Sequence, residues 1–317
     1  MHRVISNIQE FYPSLLKLGH LDIEEYDKKI SYLAKRYKAI SLQECLNYID
    51  KGGHKPRNCF VLTFDDGHHD LYWNAYPILK EKLIPATIFL IAGLIDSSEV
   101  TWFDKVEYFI LKTKVTEFKV TNLSSKTYYL LSNDDRVNVA IEIEESLKKL
   151  NTSDRDAIIE EMKSILEVEL NTNKDGNFLL SWKDIMEMSD SAIIDFGSHS
   201  MSHAILTNEC EEKIEYEISV SKKFIEQKLG KEIFSFAYPN GNFNNLIKSC
   251  LKKNGYLCAI STIPGTNNEK TDRLKFRRFA FFDGPLYVFG VKMACFPLLI
   301  KGMGQEYMIK KGLYHDT

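Results

Sequence analysis

The sequence predicts an α/β fold: a distorted (β/α) barrel carrying an inserted, mostly helical sub-domain. Three observations predict it. Apolar strands alternate with amphipathic helices over residues 22–92 and again after residue 182. The residues with chemical potential fall at the C-terminal ends of apolar strands, where a (β/α) barrel keeps its site. Between the two alternating stretches, residues 97–180 change pattern to long helices and a hairpin. The chain, 1–317, is therefore read as a single domain with 97–180 as an inserted sub-domain.

Asp22 to Tyr37 puts Ile23, Tyr26, Ile30, Leu33 and Ala34 on one helical face, with acids early and bases late, as the helix dipole favours. Lys38-Ala39-Ile40 is a short strand. Ser41 caps a second helix that runs to about Asp50, and Glu44 completes a capping-box pattern. Gly52-Gly53 ends it. The apolar run Cys59 to Phe64 is a buried strand that stops at Asp65-Asp66-Gly67, where Gly67 permits a sharp exit. A helix from Asp70 to Lys82 follows, and Pro85 resets the chain for a strand from Ala86 to Ala92.

In the insertion, Thr101 to Ile110 is an amphipathic helix. Val115–Val120 and Thr127–Leu131 alternate as a hairpin around Asn122-Leu123-Ser124-Ser125. Asp134–Leu150 and Asp154–Leu170 are charged amphipathic helices. Such a stretch either covers the mouth of a site or packs on the side of the barrel. Afterwards come a helix at Trp182–Met188, a strand at Ala192–Phe196, a long helix from Thr207 to Leu229 closed by Gly230, and a strand at Glu232–Ala237. The turn Tyr238-Pro239-Asn240-Gly241 leads to a helix at Phe243–Asn254 and a strand at Leu257–Ser261. Arg273 to Phe282 holds Leu274, Phe276 and Phe279 beside Arg277 and Arg278, and an apolar helix then runs to about Cys295.

With 317 residues, 44% of them hydrophobic, the chain can bury a sizeable core. Lys+Arg total 41 against 44 Asp+Glu, a net charge of −3, which argues against a nucleic-acid partner. None of the 6 cysteines forms a C-x-x-C, so buried free thiols in a reducing compartment are expected. Residues 1–19 have no apolar core of signal-peptide length. The longest apolar stretch, Val288–Ile300, is broken by Lys292 and Pro297, so no transmembrane segment is expected. A cytoplasmic protein is the expectation, with peripheral membrane contact or a removed leader left open.

Two adjacent acids at a strand end point in different directions. One can hold a cation while the other faces whatever sits beside it, although the same letters also make a plain strand-to-turn exit. Downstream, His199 and His203 stand four apart. On a helical turn they would share a face and reach one cation. A carboxylate with two imidazoles leaves coordination positions open, which suits a catalytic site.

Thr63-Phe64-Asp65-Asp66-Gly67 followed by Ser198-His199-Ser200-Met201-Ser202-His203 resembles the polysaccharide deacetylases, the NodB-homology group of carbohydrate esterases. Their first two motifs read T-F-D-D-G and H-[ST]-x-x-H. Their third, R-x-P-x-G, is partly matched by Ala237-Tyr238-Pro239-Asn240-Gly241. The resemblance runs from about Tyr26 to Phe282 and implies a barrel of the deacetylase type. It implies a metal triad of Asp66, His199 and His203, holding one divalent ion, zinc foremost with cobalt or nickel compatible. It makes Asp65 the general base that activates water, and Asn240 the position whose backbone N–H steadies an oxyanion. Tyr238, Pro239 and Gly241 would shape a substrate-binding turn, although these letters also make an ordinary turn.

Two departures stand out. The family's third-motif arginine is Ala237 here, and Arg278, ahead of Arg277, is the candidate to replace its charge. The family's L-x-H general acid has no clear copy. Leu313-Tyr314-His315 matches in letters, and His2 in Met1-His2-Arg3-Val4 resembles a His-Arg strand of the family, but neither is assigned. His68 and His69 read as loop histidines, exposed or lining the mouth. The implied activity is metal-dependent removal of an acetyl group from an N-acetylated sugar or polysaccharide. A deformylase or other amide hydrolase, and a catalytically weak carbohydrate-binding member, are the alternatives.

Overall fold

Strand pairing decides where the two acids go. The computed structural model describes residues 3–5, 20–50, 58–170, 179–281, 285–290 and 293. Among these the strands are β1 (Arg3–Ile5), β2 (His20–Asp22), β3 (Lys38–Ala39), β4 (Cys59–Phe60), β5 (Leu62–Phe64), β6 (Ala86–Leu90), β7 (Glu117–Phe118), β8 (Tyr128–Tyr129), β9 (Ile194–Ser198), β10 (Ser235–Ala237) and β11 (Cys258–Ile260). A five-stranded sheet runs in the order β11-β10-β9-β6-β5, every pair parallel. The arrangement is the parallel sheet with outer helices of a distorted barrel. β6 is buried at every position, as a central strand covered on both faces must be.

The apolar run expected as one strand from Cys59 to Phe64 is two. Cys59 and Phe60 pair with β3, while Leu62–Phe64 pair with β6. Register then places Phe64 opposite Ile88, and Leu90 opposite Ser198. The ends of β5 and β9 therefore open on the same edge of the sheet, and Asp65 and His199 follow them directly. Beyond β11, Phe276 bridges Ile260 in parallel, so the segment that carries Arg278 runs alongside the sheet edge.

Most helices form where the periodicity places them. Ser41 and Glu44 make the expected capping box: the Glu44 N–H donates to the Ser41 hydroxyl (3.0 Å) and the Ser41 N–H to the Glu44 carboxylate (2.8 Å). The helix expected from Asp70 begins instead as a π turn, Leu71–Ala75, and becomes α only at Tyr76–Lys82. Pro77 has no N–H to donate to the preceding turn, so the regular ladder cannot run through it. Gly52-Gly53, His2, Leu313-Tyr314-His315 and the end of the apolar helix at Cys295 lie outside the described residues.

Residues 101–166 build a hairpin, β7 against β8, and three helices, Trp102–Lys112, Asn133–Leu147 and Thr152–Leu166. Val106, Phe109, Ile143, Leu147 and Ile159 close an apolar cluster there, separate from the core around the sheet. Each helix starts on a side-chain cap: Thr101, Ser132 and Asn151. The described cysteines are free, but not all are buried as expected: Cys250 and Cys258 are, whereas Cys210 is exposed. Cys210 precedes the helix Glu211–Leu229, whose first turn faces solvent. No described helix is long and apolar enough to cross a membrane.

Candidate active site

The two histidines do not sit on a helical turn, contrary to the expectation from their spacing. β9 ends at Ser198, and residues 199–203 leave it as an irregular loop, with Ser200 (φ 69°) and His203 (φ 57°) in the left-handed region. Side chains replace the helical ladder. Glu217, fully buried on the helix Glu211–Leu229, accepts from the N–H of Met201 (2.8 Å), the N–H of Ser202 (2.9 Å) and the Ser202 hydroxyl (2.7 Å). Lys213 balances its charge at 2.9 Å. The Ser200 hydroxyl accepts from the His203 N–H at 3.0 Å. The serines between the histidines thus supply bonds that a non-helical loop needs.

Asp66 (φ 71°) and Gly67 (φ 74°) both adopt left-handed backbone, which turns the chain off the end of β5. A Cβ at Gly67 would lie 2.8 Å from Leu90 Cδ2, so glycine is required there twice over. Asp66, Ser200, His203 and Asn240 (φ 58°) are non-glycine residues with positive φ. Each such residue costs about 1–3 kcal/mol and persists only where the surroundings enforce it. All but Ser200 line one cleft.

Asp66, His199 and His203 are all buried, and their ligand atoms lie within 4.8 Å of one another. Oδ1 of Asp66 is 3.3 Å from His199 Nε2 and 3.5 Å from His203 Nε2. His199 Nδ1 donates to the Ala237 carbonyl at 2.8 Å, which leaves the Nε2 lone pair facing Asp66. Burial opposes charge on His199, yet the Asp66 and Asp65 carboxylates push its pKa up. A carboxylate and two imidazoles converging on one point, with no fourth ligand in the cluster among the described residues, fit a divalent transition metal with open positions. On His203, the indole N–H of Trp102 reaches Nδ1 at 3.2 Å. An indole can only donate, so this contact keeps the His203 proton on Nε2. For Nε2 to coordinate a cation, that proton must move to Nδ1 and the indole contact must be given up.

Asp65, 1% exposed, is held by Arg278 through two parallel bonds: Nη1 to Oδ1 at 2.8 Å and Nη2 to Oδ2 at 2.5 Å. Burial works against the carboxylate's charge, but the guanidinium outweighs it and holds Asp65 well below the usual carboxylate range. Arg278 is itself positioned by its N–H bond to the Ile263 carbonyl (3.0 Å). Arg277 points elsewhere, its side chain packing near Gly265.

These groups share a cleft of about 210 Å³. Tyr238, Asn240 and Gly241 line it, whereas Pro239 is buried and does not. The Tyr238 hydroxyl is already engaged, donating to the Leu274 carbonyl at 2.7 Å. A Cβ on Gly241 (φ 83°) would fall 2.0 Å from Thr262 Oγ1. The opposite wall comes from the insertion, with Trp102, Phe103, Asp104, Glu107 and Glu144. The insertion therefore does more than pack against the barrel's side. No local sequence signal marks these residues, because helices from a distant segment bring them in. His68, expected as a loop histidine, is 1% exposed and also lines the cleft, whereas His69 bonds the exposed Trp73 at 3.0 Å.

On that wall, burial and the neighbouring Glu107 push Glu144 up to about 8. The folded protein binds this proton more tightly than the unfolded chain, so deprotonation costs stability as pH rises from about 4.5 through about 8. Glu144→Gln removes that cost. Its stability advantage over wild type, measured by urea unfolding, is expected to grow across this window and then level off.

Fold and site together define a class: a parallel-sheet barrel with a buried carboxylate–imidazole cluster that could hold a metal ion at its strand ends and a second, arginine-held carboxylate beside it. The chain belongs to the polysaccharide deacetylase family, whose model matches residues 52–259. It is 34% identical over 100 residues to the poly-beta-1,6-N-acetyl-D-glucosamine N-deacetylase of Staphylococcus aureus strain MSSA476, covering 29% of this chain and 34% of that protein. With the enzyme of the same name from Staphylococcus epidermidis it shares 38% over 76 residues, 24% of this chain and 26% of that one. The match thus spans about a third or less of these relatives' length. Among solved structures, the Streptococcus pyogenes deacetylase PplD in complex with acetate superposes with a TM-score of 0.58 at 16% identity, covering 89% of this chain and 90% of that one. IcaB from Ammonifex degensii gives 0.57 at 17%, covering 90% and 91%. At such identities these likenesses establish the fold alone.

Proposed function

We propose that the protein is a metal-dependent N-deacetylase acting on an N-acetylated sugar polymer, with zinc as its metal. The observation that carries this reading is the placement of two carboxylates with different partners in one cleft: Asp66 against two imidazoles, Asp65 against a guanidinium. The names of the staphylococcal relatives support poly-N-acetylglucosamine as the substrate class.

Asp66, His199 and His203 would hold the ion. Once bound, a divalent cation supplies Lewis acidity, lowering the pKa of water and polarising an amide carbonyl. Asp65 is not spent on the ion. Arg278 keeps it ionised and fixes its orientation, so it can take the proton as water attacks the acetamide. The turn at Asn240 lines the cleft and is the proposed source of a backbone N–H for the developing oxyanion. The cleft's mixed wall of aromatic rings and acceptors suits a sugar, which offers C–H faces and hydroxyl donors together.

The test is product release from the full chain, reconstituted with zinc, on β-1,6-linked N-acetylglucosamine oligomers. Acetate release that a chelator abolishes and added zinc restores is the expected result. Formate release from an N-formyl sugar, without acetate, would replace this reading with a deformylase. Saccharide binding without either product would make the chain a non-catalytic binder.

A further inference from the structure

The two oxygens of Asp66 have different neighbours. Oδ1 faces His199 and His203, while Oδ2 lies 3.5 Å from Nε2 of His68. His68 is no loose loop side chain. It directly follows Gly67, its backbone bridges Leu179, and its ring meets the edge of Phe103 at 6.3 Å between centroids. Asp104, next to Phe103 in the chain, lines the same cleft. Asp104 is itself tied down: the Thr101 hydroxyl donates to Oδ2 at 2.5 Å, and Arg3 Nη1 lies 3.7 Å from Oδ1. Thr101 and Asp104 open the first helix of the insertion. His68 thus sits between that helix, through Phe103, and the proposed metal ligand.

We propose that His68 is a positioning residue for the metal centre, which holds Oδ2 of Asp66 so that Oδ1 stays turned toward the two ligand imidazoles. A carboxylate ligand whose outer oxygen has no donor can rotate, and partners of this kind typically contribute 10–100-fold to metal affinity. This role of His68 is one of holding a ligand, not of binding the ion. It rests on the metal reading above but not on the identity of the substrate.

The experiment measures Zn²⁺ affinity of the full chain by competition with a chromophoric chelator, alongside thermal unfolding without metal. His68→Ala is expected to weaken zinc binding about 10–100-fold. His68→Gln, which keeps an N–H near the place of Nε2, is expected to recover most of the affinity. Zinc affinity unchanged in folded His68→Ala would overturn the proposal. So would a His68→Gln as weak as the alanine variant, because the ring's packing would then be what matters. Should His68→Ala fail to fold, His68→Leu fills the space without a donor. Weak zinc binding by Leu with near-normal binding by Gln supports the proposal, and equal affinities sink it. Acetate assays separate the two readings: zinc affinity that depends on His68, without acetate release, removes the deacetylase and leaves this inference standing.

Discussion

Asp65→Asn is expected to lower acetate release about 10²–10⁴-fold, the usual contribution of a general base, while the protein still binds zinc. The side chain keeps its size, and the groups proposed to hold the ion are elsewhere: Asp66, His199 and His203. What is lost is basicity. An amide cannot take the proton from an attacking water. It also cannot accept both guanidinium bonds, because its nitrogen would face an N–H of Arg278. Turnover with and without added zinc, together with the metal content of the purified variant, checks this. Wild-type turnover would remove Asp65 from the mechanism. Loss of the metal along with turnover would mean that the two acids had been assigned the wrong way round.

Arg278→Met is expected to destabilise the fold by about 3–5 kcal/mol, besides lowering turnover, because it leaves a buried carboxylate without its counter-charge. Asp65 is 1% exposed and cannot turn to solvent. Arg278→Lys is expected to restore only part of the loss, since an ammonium provides a point charge and not the planar fork that spans both oxygens. The double variant Asp65→Asn/Arg278→Met is the sharper measurement. If the pair acts as a unit, the double variant is more stable than Arg278→Met alone. Urea unfolding of the four proteins in the cycle measures the coupling. Additive losses would show that Arg278 supports the fold by some other contact.

Much of this was legible in order along the chain. The strand that ends in Asp65-Asp66-Gly67, the Ser41–Glu44 box, the helices of the insertion and the pair His199 and His203 all rest on local signals: apolar period, caps and glycine. Those signals act within a few residues, so one chain segment carries them whole. Where local reasoning failed, a partner from afar had taken over. The histidine spacing suggested a helical turn, but Glu217 holds the loop in another shape. The letters around His68 left it exposed or lining the mouth, because nothing nearby in sequence announces Phe103 against its ring. Cys59 to Phe64 read as one strand because its hydrophobicity is continuous, while its partners are two different strands.

The sequence by itself determined the alternating α/β architecture, the family, and which side chains are competent to hold a cation. Residue chemistry and period suffice for those. Only the tertiary structure decided that Arg278, 213 residues from Asp65, supplies the missing charge, and that the insertion forms a wall of the cleft. Charge pairing and burial act between residues that meet in space, and that meeting is set by sheet register and helix packing, not by distance along the chain.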